Sequence, residues 1–210
     1  MIVLGLDVCL NACSVAVTDG DRVLARASQV MARGHQERLA PMVQAVMAEA
    51  RLAFVRLERV GVTVGPGSFT GLRVGLAFAK GLGQALSIPV VGVGALEALA
   101  AGRPGLVFAT IDARRDQVYL QAFEAGAALM APDVLPLGTA CARLAEIAAG
   151  RALVLVGSGA TLLAPAAPGA RIVEAEGADP VAVARLAAGR EPVPPRPLYL
   201  RAPDARLPAA

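Results

Sequence analysis

Val60-Gly61-Val62-Thr63-Val64-Gly65-Pro66-Gly67-Ser68-Phe69-Thr70-Gly71-Leu72-Arg73 passes from a β-rich run through a glycine loop into a long apolar segment. Pro66 fixes one φ angle, and the glycines permit positive φ or close backbone approach. Ser68 or Thr70 can cap the helix that follows. A loop of this kind presents amides at a helix start, where an anion or a partner's backbone can sit. It is not a Walker loop. The Gly-Lys-Ser/Thr ending is absent, and Lys80, the only lysine, lies about three turns into the helix.

Working outward, Ile2 to Asp7 is an apolar run ending in an acid, and Cys13 to Thr18 and Arg22 to Gln29 alternate on either side of Asp19-Gly20-Asp21. Three consecutive strands are expected. Leu39, Met42, Val43, Val46, Met47 and Ala50 recur at helical spacing, which predicts an amphipathic helix over 35–52. The strand Val60 to Val64, a helix from Thr70 to Leu86, a strand near Pro89 to Val93 and a helix near Ala95 to Ala101 complete a βββαβα order with one more strand and helix. At Leu106 the pattern restarts. Leu106 to Asp112 again ends in aspartate, and a second β segment follows at Gln117 to Phe123. A helix near Thr139 to Ala149, a strand at Leu153 to Val156, and helices near Gly159 to Leu163 and Asp179 to Gly189 come next. We read this as an internal duplication giving two lobes of related topology, over 1–102 and 103–201, the second smaller and degenerate. Six prolines after Arg190 predict an extended end, with a disordered tail over 202–210.

With 210 residues, 56% of them hydrophobic, the chain can bury a substantial core. No apolar run reaches the ~18 residues of a membrane span, and the opening stops at Asp7 without a basic leader, so a cytoplasmic protein is expected. Cys9, Cys13 and Cys141 make an odd number that argues against a disulfide framework, and with the single histidine, His35, they match no zinc pattern. The net charge is +3, yet the nineteen arginines are spread along the chain, and aromatics are only 3% of it. Direct nucleic-acid binding has little to rest on.

Two lobes that each open on a strand ending in aspartate describe an α/β fold of the actin-like ATPase class (ASKHA, ribonuclease-H-like), with two lobes of mixed sheet flanked by helices. In such folds the acid commonly precedes a glycine turn that lets phosphate approach the backbone. Here the turns read Asp7-Val8-Cys9 and Asp112-Ala113-Arg114, where Cβ atoms crowd that approach. A vestigial nucleotide or anion loop would comprise Asp7, Gly67, Ser68, Thr70 and Asp112. A two-metal nuclease would need carboxylates beyond Asp7, and one histidine cannot equip a metallopeptidase. His35 is expected at the surface or capping its helix, and no catalytic or metal-binding residue is assigned. Gly71, Gly75, Ala79 and Gly83 recur every four residues as a stripe of tiny side chains beside Leu72, Leu76 and Leu82, which lets another helix approach closely. Either this surface and the Met42, Val46 and Met47 side of the preceding helix dock another subunit, or both helices are covered within their own lobe.

These residues resemble the TsaB family, also called YeaZ, of the bacterial tRNA threonylcarbamoyladenosine pathway. The resemblance rests on Gly65 through Arg73, Lys80-Gly81-Leu82, Ile88 to Val93 and Leu96-Glu97-Ala98-Leu99. It includes Asp7 with Ala12 to Ala16, His35 through Pro41, Ile111-Asp112-Ala113-Arg114, and Pro197-Leu198-Tyr199-Leu200-Arg201. It implies a pseudoenzyme that binds its catalytic paralogue TsaD as a heterodimer, works with the ATPase TsaE, meets tRNA through the complex, and can form a homodimer alone. The implied reaction is threonylcarbamoylation of the adenosine next to the anticodon in tRNAs reading codons that begin with adenine. No cofactor would be bound by this chain alone; the complex would use ATP and a TsaD-bound metal. The implied interface lies on the first-lobe helices, through Leu39, Met42, Val43, Val46, Met47, Gly71, Leu72, Gly75, Leu76, Ala79, Leu82 and Gly83. The family often has Asp-Thr-Ser where this chain has Asp7-Val8-Cys9. The competing expectations are an autonomous actin-fold ATPase or sugar kinase, motivated by the two Asp-ended strands, and a peptidase homologue, active or inactive.

Overall fold

The computed structural model describes residues 1–201, so the tail expected over 202–210 lies outside the described residues. The first sheet contains β1 (Ile2–Asp7), β2 (Ala12–Asp19), β3 (Arg22–Val30), β4 (Arg59–Thr63) and β5 (Val90–Val93) in the order β3-β2-β1-β4-β5. β1 to β3 form an antiparallel meander, while β4 and β5 run parallel to β1. The parallel pairings require crossovers, supplied by α1 (His35–Glu49) and α2 (Phe69–Leu86). Leu4, Leu6, Val15, Val17, Val60 and Val62 form one core with the inner sides of these helices.

α3 (Ala95–Ala100) leads into the second sheet, built from β6 (Leu106–Arg114), β7 (Gln117–Glu124), β8 (Ala127–Ala128), β9 (Asp133–Pro136), β10 (Leu153–Val156) and β11 (Arg171–Val173). Its order is β11-β10-β6-β7-β8, with β9 also paired to β7. β6 has an antiparallel neighbour on one side and a parallel one on the other, as β1 has in the first sheet. That correspondence is the duplication expected from the two Asp-ended runs. α4 (Leu137–Ala148) and α5 (Ala160–Leu163) pack on the second sheet.

The last helix, α6 (Pro180–Ala188), is reached from the second half but lies on the first sheet, against β1, β2 and β4. Gly5 and Gly61 are register partners and make its seat: a Cβ on Gly5 would stand 2.1 Å from the Pro180 carbonyl, and one on Gly61 2.6 Å from the Ala187 methyl. Arg59 caps the far end, donating to the Ala187 and Arg190 carbonyls, each at 2.7 Å. α3 in turn packs on β6 and β7. Each half therefore lends its final helix to the other's sheet, and we retain a division at residues 102 and 103 as a proposal about chain order. β8, β9 and β11 were not expected from sequence; each is four residues or fewer and lies at or near a sheet edge.

Candidate functional site

The glycine loop after β4 lies flat on the turn after β1. A Cβ on Gly67 would come within 2.1 Å of the Cys9 carbonyl oxygen, and one on Gly71 equally close to that of Val8. Such contact is possible only for glycine. The Ser68 amide donates to the Cys9 carbonyl at 2.7 Å, and the Gly71 amide to Ser68 Oγ at 3.3 Å. Ser68, not Thr70, is thus the cap of α2. The sequence suggested amides open to an anion. Two of them are instead engaged within the chain, and the glycines serve loop-on-turn packing.

Beneath this contact the Asp7 carboxylate is buried and saturated. Its Oδ1 accepts from the Thr63 hydroxyl at 2.7 Å, the Cys9 amide at 3.2 Å and the Cys9 thiol at 3.3 Å, and its Oδ2 accepts from the Ala178 amide at 2.7 Å. Burial raises its pKa above the ordinary carboxylate value, and these hydrogen bonds only partly oppose that shift. Burial and the neighbouring Asp7 charge push the Cys9 thiol well above its usual range, and they push Cys13 up to about 11 against the opposing charge of Arg38. Asp7 therefore holds the chain entering α6 against the end of β1, and is fully buried.

The second lobe repeats the arrangement. Gly157 has φ of 110°, and a Cβ there would meet the Thr110 carbonyl at 2.2 Å. The Asp112 amide donates to Ser158 Oγ at 3.2 Å. The Asp112 carboxylate accepts from the Arg114 amide at 2.7 Å and pairs with its guanidinium at 3.1 Å.

Between the two loops is a cleft of about 680 Å³. Gly67, Ser68 and Asp112 line it; Asp7 and Thr70 do not, so the five residues expected to form one ligand loop do not converge. Sequence reasoning missed Asn11, Ser158 and Glu176 in its walls. Asn11 Nδ2 donates to Glu176 Oε2 at 3.0 Å. Tyr119, Phe69 and Tyr199 bring three of the chain's seven aromatic rings to the same place. The sequence signal for the Tyr199 wall is the run Pro197 to Arg201, which enters the sequence reading only through the family resemblance.

The twelve residues expected to face another subunit are distributed otherwise. Leu39, Met42, Val43, Val46, Met47, Gly71, Leu72, Gly75, Leu76, Ala79 and Gly83 are buried by the chain itself, and Leu82 is half-buried. A Cβ on Gly75 would stand 2.6 Å from Val8 Cγ2, and one on Gly83 2.3 Å from Val90 Cγ2. The small-residue stripe seats α2 on its own sheet and so is not open to another subunit. The opposite sides of the same helices are exposed: Ala40, Pro41, Gln44, Ala45 and Ala48 on α1, and Arg73, Ala77, Lys80, Gly81, Gln84 and Ala85 on α2. His35 is neither a surface group nor a cap; it is buried at the start of α1, with Nε2 lacking a partner. Among the described residues no three His, Cys, Asp or Glu side chains come together as a potential metal site, and no helix is long and apolar enough to cross a membrane.

Comparison with known proteins bears on these features. Residues 26–182 match the family model described as TsaD, tRNA N6-adenosine threonylcarbamoyltransferase. An uncharacterized protein of Mycobacterium tuberculosis is 38% identical over 185 residues, covering 88% of this chain and 83% of its own length. The tRNA threonylcarbamoyladenosine biosynthesis protein TsaB of Bacillus subtilis is 37% identical over 57% of this chain, a match that spans about half (53%) of that relative. A Pseudomonas aeruginosa crystal structure, of an uncharacterized protein with similarity to peptidase YEAZ, superposes with a TM-score of 0.81 at 30% identity, covering 95% of this chain and 99% of that one. More distant neighbours share the actin-like fold alone, as does component A of the Acidaminococcus fermentans (R)-2-hydroxyglutaryl-CoA dehydratase, with a TM-score of 0.56 at 12% identity. With the duplicated lobes and the glycine loop of Gly65 to Arg73 in place, the chain belongs to the TsaB, or YeaZ, family.

Proposed function

We propose that this chain is a noncatalytic partner subunit in the threonylcarbamoylation of the adenosine beside the anticodon in tRNAs reading codons that begin with adenine. TsaD is its heterodimer partner and carries the metal and the transferase chemistry; TsaE supplies ATP turnover; tRNA is met through the assembly. The observation that carries this reading is the pair of filled loops. Where an actin-like phosphotransferase would admit phosphate to the backbone, Gly67 and Gly71 press on the Cys9 and Val8 carbonyls and Gly157 on that of Thr110. Asp7, which would otherwise be available to a metal or to water, already accepts from four donors. Family membership supports the pathway, and the exposed small residues on α1 and α2 supply a flat surface for close helix-to-helix contact. The docking surface therefore keeps the two helices read from the sequence and uses their outer sides.

Size-exclusion chromatography with TsaD tests the partnership: a shared peak is expected, and separate elution of two folded proteins would contradict it. Calorimetry with ATP and magnesium tests the kinase alternative. The isolated chain is expected to give no stoichiometric binding.

A further inference from the structure

After α6 the chain returns across the molecule. Arg190 anchors the start of this return, donating to the Gly92 carbonyl at 2.9 Å and to the Glu97 carboxylate. Pro195 is buried against Gly92, where a Cβ would lie 3.2 Å from the proline ring. The Leu198 amide then donates to the Val64 carbonyl at 2.7 Å, at the base of the glycine loop. Arg73 Nε donates to the Tyr199 hydroxyl at 3.3 Å, and the Tyr199 ring lies 5.1 Å from that of Phe69. Up to this point every hold is on the first lobe. Two residues later Arg201 crosses the cleft: its guanidinium donates to the Ala113 carbonyl at 2.8 Å and to Gln117 Oε1, on the two sides of the β6–β7 turn.

We infer that Pro197 to Arg201 is a strap that fixes the angle between the lobes, with Arg201 as its pin on the second lobe. The chemistry suits the task. A planar guanidinium presents several donors in a rigid fork, so one side chain reaches both acceptors and defines a direction as well as a distance. The strap also forms one wall of the cleft, so its position sets the width of that cleft. Rotation of the lobes about the Ala101 to Gly105 connection would have to break both Arg201 bonds or pull Leu198 from Val64. The other crossing, Glu174 to Asp179, is held to the first lobe by Asn11, which donates to Glu176, and by Asp7, which accepts from the Ala178 amide. The inference does not depend on which partner the protein has.

The test uses the full chain. Spin labels at Gln44→Cys on α1 and Arg143→Cys on α4, both exposed positions, in a Cys141→Ser background, report the lobe-to-lobe distance by pulsed electron resonance. Arg201→Met is expected to broaden or shift that distribution, and to speed amide exchange about tenfold or more in both 64–68 and 113–117. Should Arg201→Met fail to fold, Arg201→Lys keeps the charge but not the fork, and is expected to give the same changes in smaller degree. An unchanged distance distribution in the folded variant would overturn the inference, even if exchange rises at the β6–β7 turn alone.

Discussion

Asp7 concentrates the behaviour of the molecule at the scale of one residue. Four donors converge on a carboxylate removed from water, and burial still outweighs them in setting its pKa above 3.8. A raised pKa means the folded state holds its proton longer than the unfolded chain. The associated stability is complete below about pH 4 and is lost as pH rises through the folded pKa. Asp7→Asn would turn an amide NH2 toward one of the donors and should cost about 1–3 kcal/mol in urea unfolding. The gap between wild type and variant should be wider at pH 4 than at pH 8, because only the wild type must bury a charge at the higher pH. The thiols offer a second check at this scale. With Cys9 and Cys13 buried and their pKa values raised, Cys141 should be the first thiol, in the folded protein, to react with a disulfide reagent at pH 8. The aspartate was visible in the sequence as the end of an apolar run; its partners were not. Ala178 lies 171 residues away and donates a backbone amide, a contact that no side-chain pattern encodes.

At the scale of the element, α2 shows what periodicity determines and what it leaves open. Its extent and its stripe of small residues follow from spacing, since glycine or alanine every fourth residue must lie on one side of a helix. Which neighbour fills that side is a tertiary fact, and here it is the chain's own β1–β2 turn and β5. The consequence is a sharp contrast among glycines. Gly71→Ala would push a methyl into the Val8 carbonyl and should lower stability by about 1–3 kcal/mol. Gly81→Ala, with nothing within 4 Å, should raise it by about 0.5–1 kcal/mol through helix propensity. Thermal melts of the two variants decide this directly. The same geometry separates fold from docking. Ala79→Leu overpacks a fully buried site and should destabilise by about 1–3 kcal/mol. Ala77→Arg, on the exposed side, should change stability by no more than about 0.5 kcal/mol yet weaken TsaD binding about tenfold or more, measured by titration calorimetry. The short strands β8, β9 and β11, of two to four residues, carry too little alternation to stand out from a turn.

For the whole molecule, the restart of the pattern at Leu106 made the duplicated architecture legible, and the central places of β1 and β6 follow from it. The exchange of terminal helices was not legible, because α6 is an ordinary amphipathic segment whose destination depends on Gly5 and Gly61, both in the first lobe and far earlier in the chain. That exchange ties the halves together, and on either side of the cleft the glycines of the two loops press on the neighbouring backbone carbonyls of Cys9, Val8 and Thr110. The decisive measurement is reconstitution of tRNA threonylcarbamoylation from purified TsaD, TsaE, the threonylcarbamoyl-adenylate supply, ATP and unmodified tRNA, with this chain added or withheld, read as modified nucleoside by mass spectrometry. A partner subunit should give no product by itself and restore product when added to the others; equal product without it, or modification by the chain alone, would contradict the role.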